Sequence, residues 1–331
     1  MCRIIILMKG IISNTFRKIS LVFTFVVIAI VISGCSKKNE NTRSIRIAIQ
    51  PSAAFIPLYA VRYSGELENV LAKDKVDVVW QDFESGPPMN ESLEADLTDI
   101  GVIGDVPTVL SLSSSTKMKL VGVPARGPDA YAVLASVKSG IKTFAELKGK
   151  RVATVFGSTG HNFTKKLLEK NHLKFSDIEF LNITAGSAEE VLTNSVADAV
   201  VIWEPNVTRL VDKGVARIVA QGSETNLRGT NGFVVREEYL TENEDCIKTL
   251  LEEYNKQAEN LDSLKPEIKE KIAADLKITP DQLSKIIKKY DFDYKVTPED
   301  VSSLQDTVSF LVSIKNLSRE YRVDDFVLNG L

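Results

Sequence analysis

The chain has 331 residues, with 41 Lys and Arg against 44 Asp and Glu, for a formal net charge of −3. That length suits two lobes of ordinary domain size, and the slight acidity disfavours a nucleic acid as partner. Cysteine occurs only as Cys2, Cys35 and Cys246 and histidine only as His161 and His172, so neither a disulfide framework nor a metal-ligand cluster is predicted, and no cofactor is expected.

In chain order, the first element is ISLVFTFVVIAIVISG (19–34), an apolar run flanked by Arg17 and Lys18. It is too short and too one-sided for an ordinary spanning helix. It ends in Ile32-Ser33-Gly34-Cys35, and small residues just before a cysteine resemble the lipobox of bacterial lipoprotein signal peptides. The resemblance implies that residues 1–34 are cut away and that the Cys35 sulfur carries a diacylglycerol. The protein is then anchored to the cell membrane, facing outside the cytoplasm. The bland alternative is an uncleaved membrane anchor, and Met8 is an alternative start to Met1. SKKNENTRS (36–44) reads as a polar linker, giving a linker over 35–44. Loss of Arg3, Lys9, Arg17 and Lys18, with no acidic residue, takes the net charge from −3 to −7 over the remaining 297 residues. Only Cys246 is then left unmodified, on an amphipathic helix, where it reads as a small buried apolar residue.

Strands and helices alternate from residue 45 onward. IRIAI (45–49) is β-rich and leads into a helix around 54–63; VDVVWQDF (76–83) precedes a helix from about Met89 to Leu97; DIGVIG (99–104) precedes a helix opened by Asp105-Val106-Pro107; KLVGVPA (119–125) is a fourth strand. A second series begins near 130: YAVLAS, RVATVF, IEFLNI, DAVVIW and ARIVAQ are strands, with helical patterns between most of them. This alternation implies βαβ units and two mainly parallel sheets flanked by helices. Beyond about 230 the chain is expected to be helical, with starts at Thr279-Pro280 and Thr297-Pro298, where threonine accepts free N–H groups and proline lacks one. Trp80, within a strand, is expected in a lobe interior. Arg126 and Arg228, near the presumed crossings between lobes, are each a candidate charge partner, with a surface role the favoured expectation.

Several strands end in small-residue loops that enter helices: Gln50-Pro51-Ser52, Ser85-Gly86-Pro87, Gly104-Asp105 and Gly157-Ser158-Thr159-Gly160. Ligands of open α/β sheets bind at such carboxyl edges, and helix N-termini there present unpaired N–H groups with partial positive charge. Two such edges face to face favour an anion. The Gly157–His161 turn lacks Gly-x-Ser-x-Gly, and no Gly-Lys-Ser/Thr occurs, which argues against a nucleophilic serine and a nucleotide phosphate loop. The remaining readings are an anion site and a plain helix cap. In the anion reading Ser158 and Thr159 contact the ligand and Gly160 permits close approach. His161 either donates a hydrogen bond or caps the turn. Asp105, which would repel an anion, is expected to cap its own helix.

DFESGPPMNESLEADLTDIGVIGDVPTV (82–109), SGIKTFAELKGKRVATVFGSTGHNFTKKLLEKNHL (139–173) and DAVVIWEPNVTRLVDKGVARIVAQG (198–222) together resemble the substrate-binding proteins of ABC importers for aliphatic sulfonates. Nitrate- and thiamine-precursor-binding proteins are more distant relatives of that family. The resemblance implies a two-lobed, hinged periplasmic-binding-protein fold of type II with a helical C-terminal segment. Lobe 1 then takes 45–125 and 230–331, and lobe 2 takes 126–229. It implies a monomer that captures a small anion between the lobes and delivers it to a membrane permease. The expected ligand-binding residues are Ser52, Ala53, Ser85, Gly86, Gly104, Asp105, Ser158, Thr159, Gly160, His161, Trp203 and Glu204, with no catalytic residue. The family usually has aspartate where Glu204 stands, so Glu204 either meets a ligand amine or hydroxyl or complements its helix. Nitrate, a thiamine pyrimidine or a flavin remains an alternative ligand. A pyrimidine-precursor synthase on the same fold is the alternative enzyme.

Overall fold

A computed structural model describes residues 43–331. The expected Cys35 lipidation site, the expected signal peptide and most of the expected linker lie outside the described residues.

The first strands and helices are β1 (Arg43–Ile49), α1 (Ile56–Ser64), α2 (Glu66–Leu71), β2 (Val76–Asp82), α3 (Gly86–Glu94), β3 (Ile100–Gly104), α4 (Asp105–Leu112) and β4 (Met118–Ala125). The chain then crosses into a second series: β5 (Tyr131–Ser136), β6 (Arg151–Thr154), α5 (Thr159–Lys170), β7 (Glu179–Asn182), α6 (Ala188–Thr193), β8 (Ala199–Trp203), α7 (Asn206–Asp212) and β9 (Ala216–Gln221). It returns through β10 (Asn231–Arg236) and continues as α8 (Glu237–Glu242), α9 (Glu244–Glu259), α10 (Pro266–Asp275), α11 (Pro280–Ile287) and α12 (Pro298–Ser313). Two five-stranded sheets result, ordered β2-β1-β3-β10-β4 and β7-β6-β8-β5-β9.

Each sheet is mixed, with one strand opposing its neighbours. In the first sheet β1 and β3 are parallel and β10 is antiparallel to both β3 and β4. In the second, β7, β6 and β8 are parallel and β5 is antiparallel to β8 and β9. β10 corrects the expectation of helix beyond 230. NGFVVR is a short apolar run, buried at every position, that slots between β3 and β4 after a long excursion through the second lobe. A run that short carries no period of its own, so only its tertiary partners define it as a strand.

Each sheet carries its own apolar core, and Tyr290 packs against both. Cys246 is buried on α9 in the first core. Both Thr-Pro helix starts form reciprocal capping boxes, Thr279 with Gln282 and Thr297 with Asp300. Trp80 is only partly buried; its Nε1 donates to Glu68 Oε1 at 2.7 Å and Arg62 lies over its ring, because β2 is an edge strand with one face toward solvent.

Arg126 and Arg228 are likewise not surface ornaments. Asp300, on the first turn of α12, is wholly buried and binds both. Arg126 reaches Asp300 through Nε at 2.8 Å and Nη2 at 2.5 Å, and Arg228 through Nε at 2.6 Å. Burial alone would raise the Asp300 carboxyl, but the hydrogen bonds from the two guanidiniums outweigh it and the pKa is lowered. One carboxylate thus ties both chain crossings to the C-terminal helix. Asp300→Ala leaves two guanidiniums without a counter-charge and is expected to cost about 3–5 kcal/mol. Urea unfolding checks this: the midpoint should fall at unchanged slope. A loss below about 1 kcal/mol, the range of an exposed pair, would contradict it.

Candidate functional site

The carboxyl ends of the two sheets face each other across a narrow, closed-up cleft whose free volume is about 20 Å³, room for about one water. The first lobe contributes Gln50 and Ser52 after β1, Gly86 and Pro87 at the start of α3, Gly104 and Pro107 around the β3–α4 junction, and Asn231 on β10. The second contributes Tyr131, Ser158, Thr159 and Trp203. None of these side chains carries a formal charge.

Positive potential comes instead from helix ends. α3 begins after Ser85 and α5 after Ser158, both with extended backbone, and neither serine side chain caps its helix. The Ser158 hydroxyl donates to the Val155 carbonyl at 2.6 Å. Two helix N-termini of nine and twelve residues therefore open on the cavity without side-chain caps; in α3, Pro87 and Pro88 carry no N–H, so that end acts through the Gly86 N–H and the helix dipole. This is the electrostatic signature of an anion site. Gly157, at φ 73°, supplies the left-handed turn that brings β6 into α5.

Six of the expected residues line the cavity: Ser52, Gly86, Gly104, Ser158, Thr159 and Trp203. The others sit behind it. Ala53 donates its N–H to the Glu204 carbonyl at 3.1 Å, joining the lobes by backbone. Ser85 is buried at the N-cap of α3. Asp105 accepts from Val106 N at 2.7 Å, capping α4 as expected, and its second oxygen accepts from Asn162 Nδ2 at 2.8 Å and Thr307 Oγ1 at 3.1 Å. A Cβ on Gly160 would lie 2.6 Å from Thr154 Oγ1, so this glycine serves helix-to-sheet packing rather than ligand approach.

His161 turns away from the cavity. Its ring packs among Phe156, Phe175, Phe180 and Phe310, and its Nδ1 accepts from Gly157 N at 3.4 Å, so it caps the turn. Burial lowers its pKa from 6.5 to about 4. Glu204 is fully buried and committed: it accepts from Thr208 N at 3.0 Å and Thr208 Oγ1 at 2.8 Å, and pairs with Lys289 Nζ at 2.5 Å. Of its two anticipated roles, the structure displays the helix-complementing one.

Gln50 and Pro87 belong to the loops expected at the cleft without being singled out as contacts, and Pro107, Tyr131 and Asn231 are lining residues that local pattern does not single out. Registers explain two of them: Tyr131 pairs with Trp203, and Asn231 with Gly104. The signal was there, since a lone polar residue at the mouth end of a buried strand, as in IRIAIQ and NGFVVR, marks a side chain facing something other than core.

Comparison with known proteins agrees with this geometry. The model of the NMT1/THI5-like family matches residues 85–261. The chain is 28% identical over 307 residues to the putative aliphatic sulfonates-binding protein of Bacillus subtilis (strain 168), covering 90% of this chain and 89% of that one. It is 30% identical over 192 residues to the protein of the same description from Escherichia coli (strain K12), covering 58% and 59%. Among solved structures, the alkanesulfonate-binding protein SsuA from Xanthomonas axonopodis pv. citri, bound to MOPS, superposes with a TM-score of 0.78 at 24% identity over 87% of this chain and 99% of that one, a likeness of fold. The two-lobed architecture is that of the periplasmic binding proteins. With the family match running from the α3 turn through both crossings and into α9, the chain belongs to the NMT1/THI5-like family.

Proposed function

We propose that the protein is an extracytoplasmic solute-binding component of an ABC importer, which captures an aliphatic sulfonate between its lobes and hands it to a membrane permease. The observation that carries this reading is the uncharged cavity faced by the uncapped N-termini of α3 and α5. A sulfonate offers three acceptor oxygens to N–H and O–H groups and stays ionised at every ordinary pH, so it needs dipoles and no proton exchange. The names of the bacterial relatives support the same ligand class. Binding rather than turnover is favoured because His161 is held in an aromatic box and Cys246 lies in the first core, both away from the cavity lining. Lobe boundaries near 125 and 230, action as a monomer and a lipid anchor on Cys35 belong to the same proposal.

Calorimetry with ethanesulfonate, nitrate, a thiamine pyrimidine and a flavin tests the ligand class; a response to one of the last three alone refutes the sulfonate reading. With a sulfonate, replacing Ser158 and Thr159 together by alanine should cost about 2–3 kcal/mol, from lost hydrogen bonds to a charged group. Ser158→Ala alone should cost the smaller share, because its proton is already directed at Val155 O. Unchanged affinity in the double variant would place the anion elsewhere.

Affinity should be flat from pH 6 to 9, since His161 is neutral there and outside the cavity. Stability should not be flat. The His161 pKa is lower folded than unfolded, so the unfolded chain binds more protons between 6.5 and about 4. Stability is therefore complete above 6.5 and declines as pH falls toward 4, by on the order of 2 kcal/mol after allowance for partial exposure. Thermal unfolding against pH should show this decline in the native protein and a shallower one in His161→Phe.

Location has its own test. Radiolabelled palmitate should enter the native protein in a bacterial host and not Cys35→Ala; equal labelling of both would remove the anchor from the proposal.

A further inference from the structure

The cavity makes a finer statement about the ligand's tail, which rests on the sulfonate reading above. The two carboxylates next in sequence to lining residues, Asp105 beside Gly104 and Glu204 beside Trp203, are engaged. Asp105 accepts three hydrogen bonds, from Val106, Asn162 and Thr307, and Glu204 holds Lys289 and Thr208. An ammonium on the tail would be stripped of water and find no free counter-charge.

One neutral polar group of the lining, by contrast, has an oxygen without a partner. Gln50 lines the cavity, is 6% exposed, and its Oε1 is buried without a hydrogen bond. Buried polar atoms are rarely left unpaired in native proteins, and those at a ligand site are completed by the ligand. Gln50 Oε1 needs a donor. An alcohol supplies one without a formal charge to desolvate, and a methylene supplies none.

We propose that the cleft selects a hydroxyalkanesulfonate, with Gln50 as the residue that reads the hydroxyl. The experiment compares three two-carbon probes by calorimetry: ethanesulfonate, 2-hydroxyethanesulfonate and 2-aminoethanesulfonate. The hydroxy probe should bind about tenfold more tightly than ethanesulfonate, the ratio expected for one buried hydrogen bond that satisfies an otherwise orphaned group, and the amino probe more weakly than either. Gln50→Leu should bring the hydroxy and unsubstituted probes to within about twofold of each other. It should also leave thermal unfolding no lower, because the side-chain oxygen it removes has no partner in the protein. Equal binding of the hydroxy and unsubstituted probes, or tightest binding of the amino probe, overturns this inference while leaving sulfonate binding intact. Binding of none of the three overturns both. Should Gln50→Leu fail to fold, the ranking of the probes by the native protein decides alone.

Discussion

Everything in this molecule hangs on a single buried carboxylate. The chain passes between its two sheets twice, and the arginine beside each passage reaches for Asp300. Opposed charges in a protein interior are held only when both are fully engaged, and here they are: Arg126 also binds the Asp293 and Lys295 carbonyls, and Asp300 also accepts from Thr297. The C-terminal helices are therefore part of the frame that fixes where the lobes pivot. The segment from Lys289 to Asp291 reinforces them. Lys289 crosses to Glu204, Tyr290 packs on both cores, and the Asp291 backbone pairs with Arg126.

A second pattern runs inside the lobes. Arg46 at the start of β1 grips Asp99 before β3 through its backbone N–H at 2.7 Å and its guanidinium; Arg151 at the start of β6 grips Asp198 before β8 in the same way, at 2.9 Å. Each aspartate opens a buried strand that ends in an acid turned onto the following helix, Asp105 in one lobe and Glu204 in the other. The amino ends of the strands are thus closed by charge pairs. The carboxyl ends keep their acids occupied with helix N–H groups, so that negative charge near the cavity is already spent. An anion can approach for that reason, despite a net negative protein.

How much of this was legible beforehand differs by the range of the interaction. Elements with their own period or punctuation were plain: ARIVAQ, the Thr-Pro helix starts and the Gly-Ser-Thr-Gly turn each occur where the residues place them. β10 was hidden, because six apolar-rich residues mean a strand only when β3 and β4 leave a gap between them. Arg126 and Arg228 were misjudged for the same reason, since their partner lies 174 and 72 residues away. At the site, the loops that enter helices were readable from small residues, but the direction of a side chain was not. His161 and Glu204 stand in the right loops and face away from the cavity, into an aromatic cluster and toward a lysine. Tyr131 and Asn231 came to the cavity through strand register, which belongs to the assembled sheet.

The contact between Gly104 and Thr159 deserves a separate reading. A Cβ at position 104 would sit 2.4 Å from the Thr159 hydroxyl oxygen, so the lobes meet here with less clearance than one methyl group requires. Packed surfaces of that kind do not yield by degrees; they are seated or they are apart. The lobes therefore stand at their limit of approach here, and no side chain larger than hydrogen fits at position 104 unless Thr159 moves.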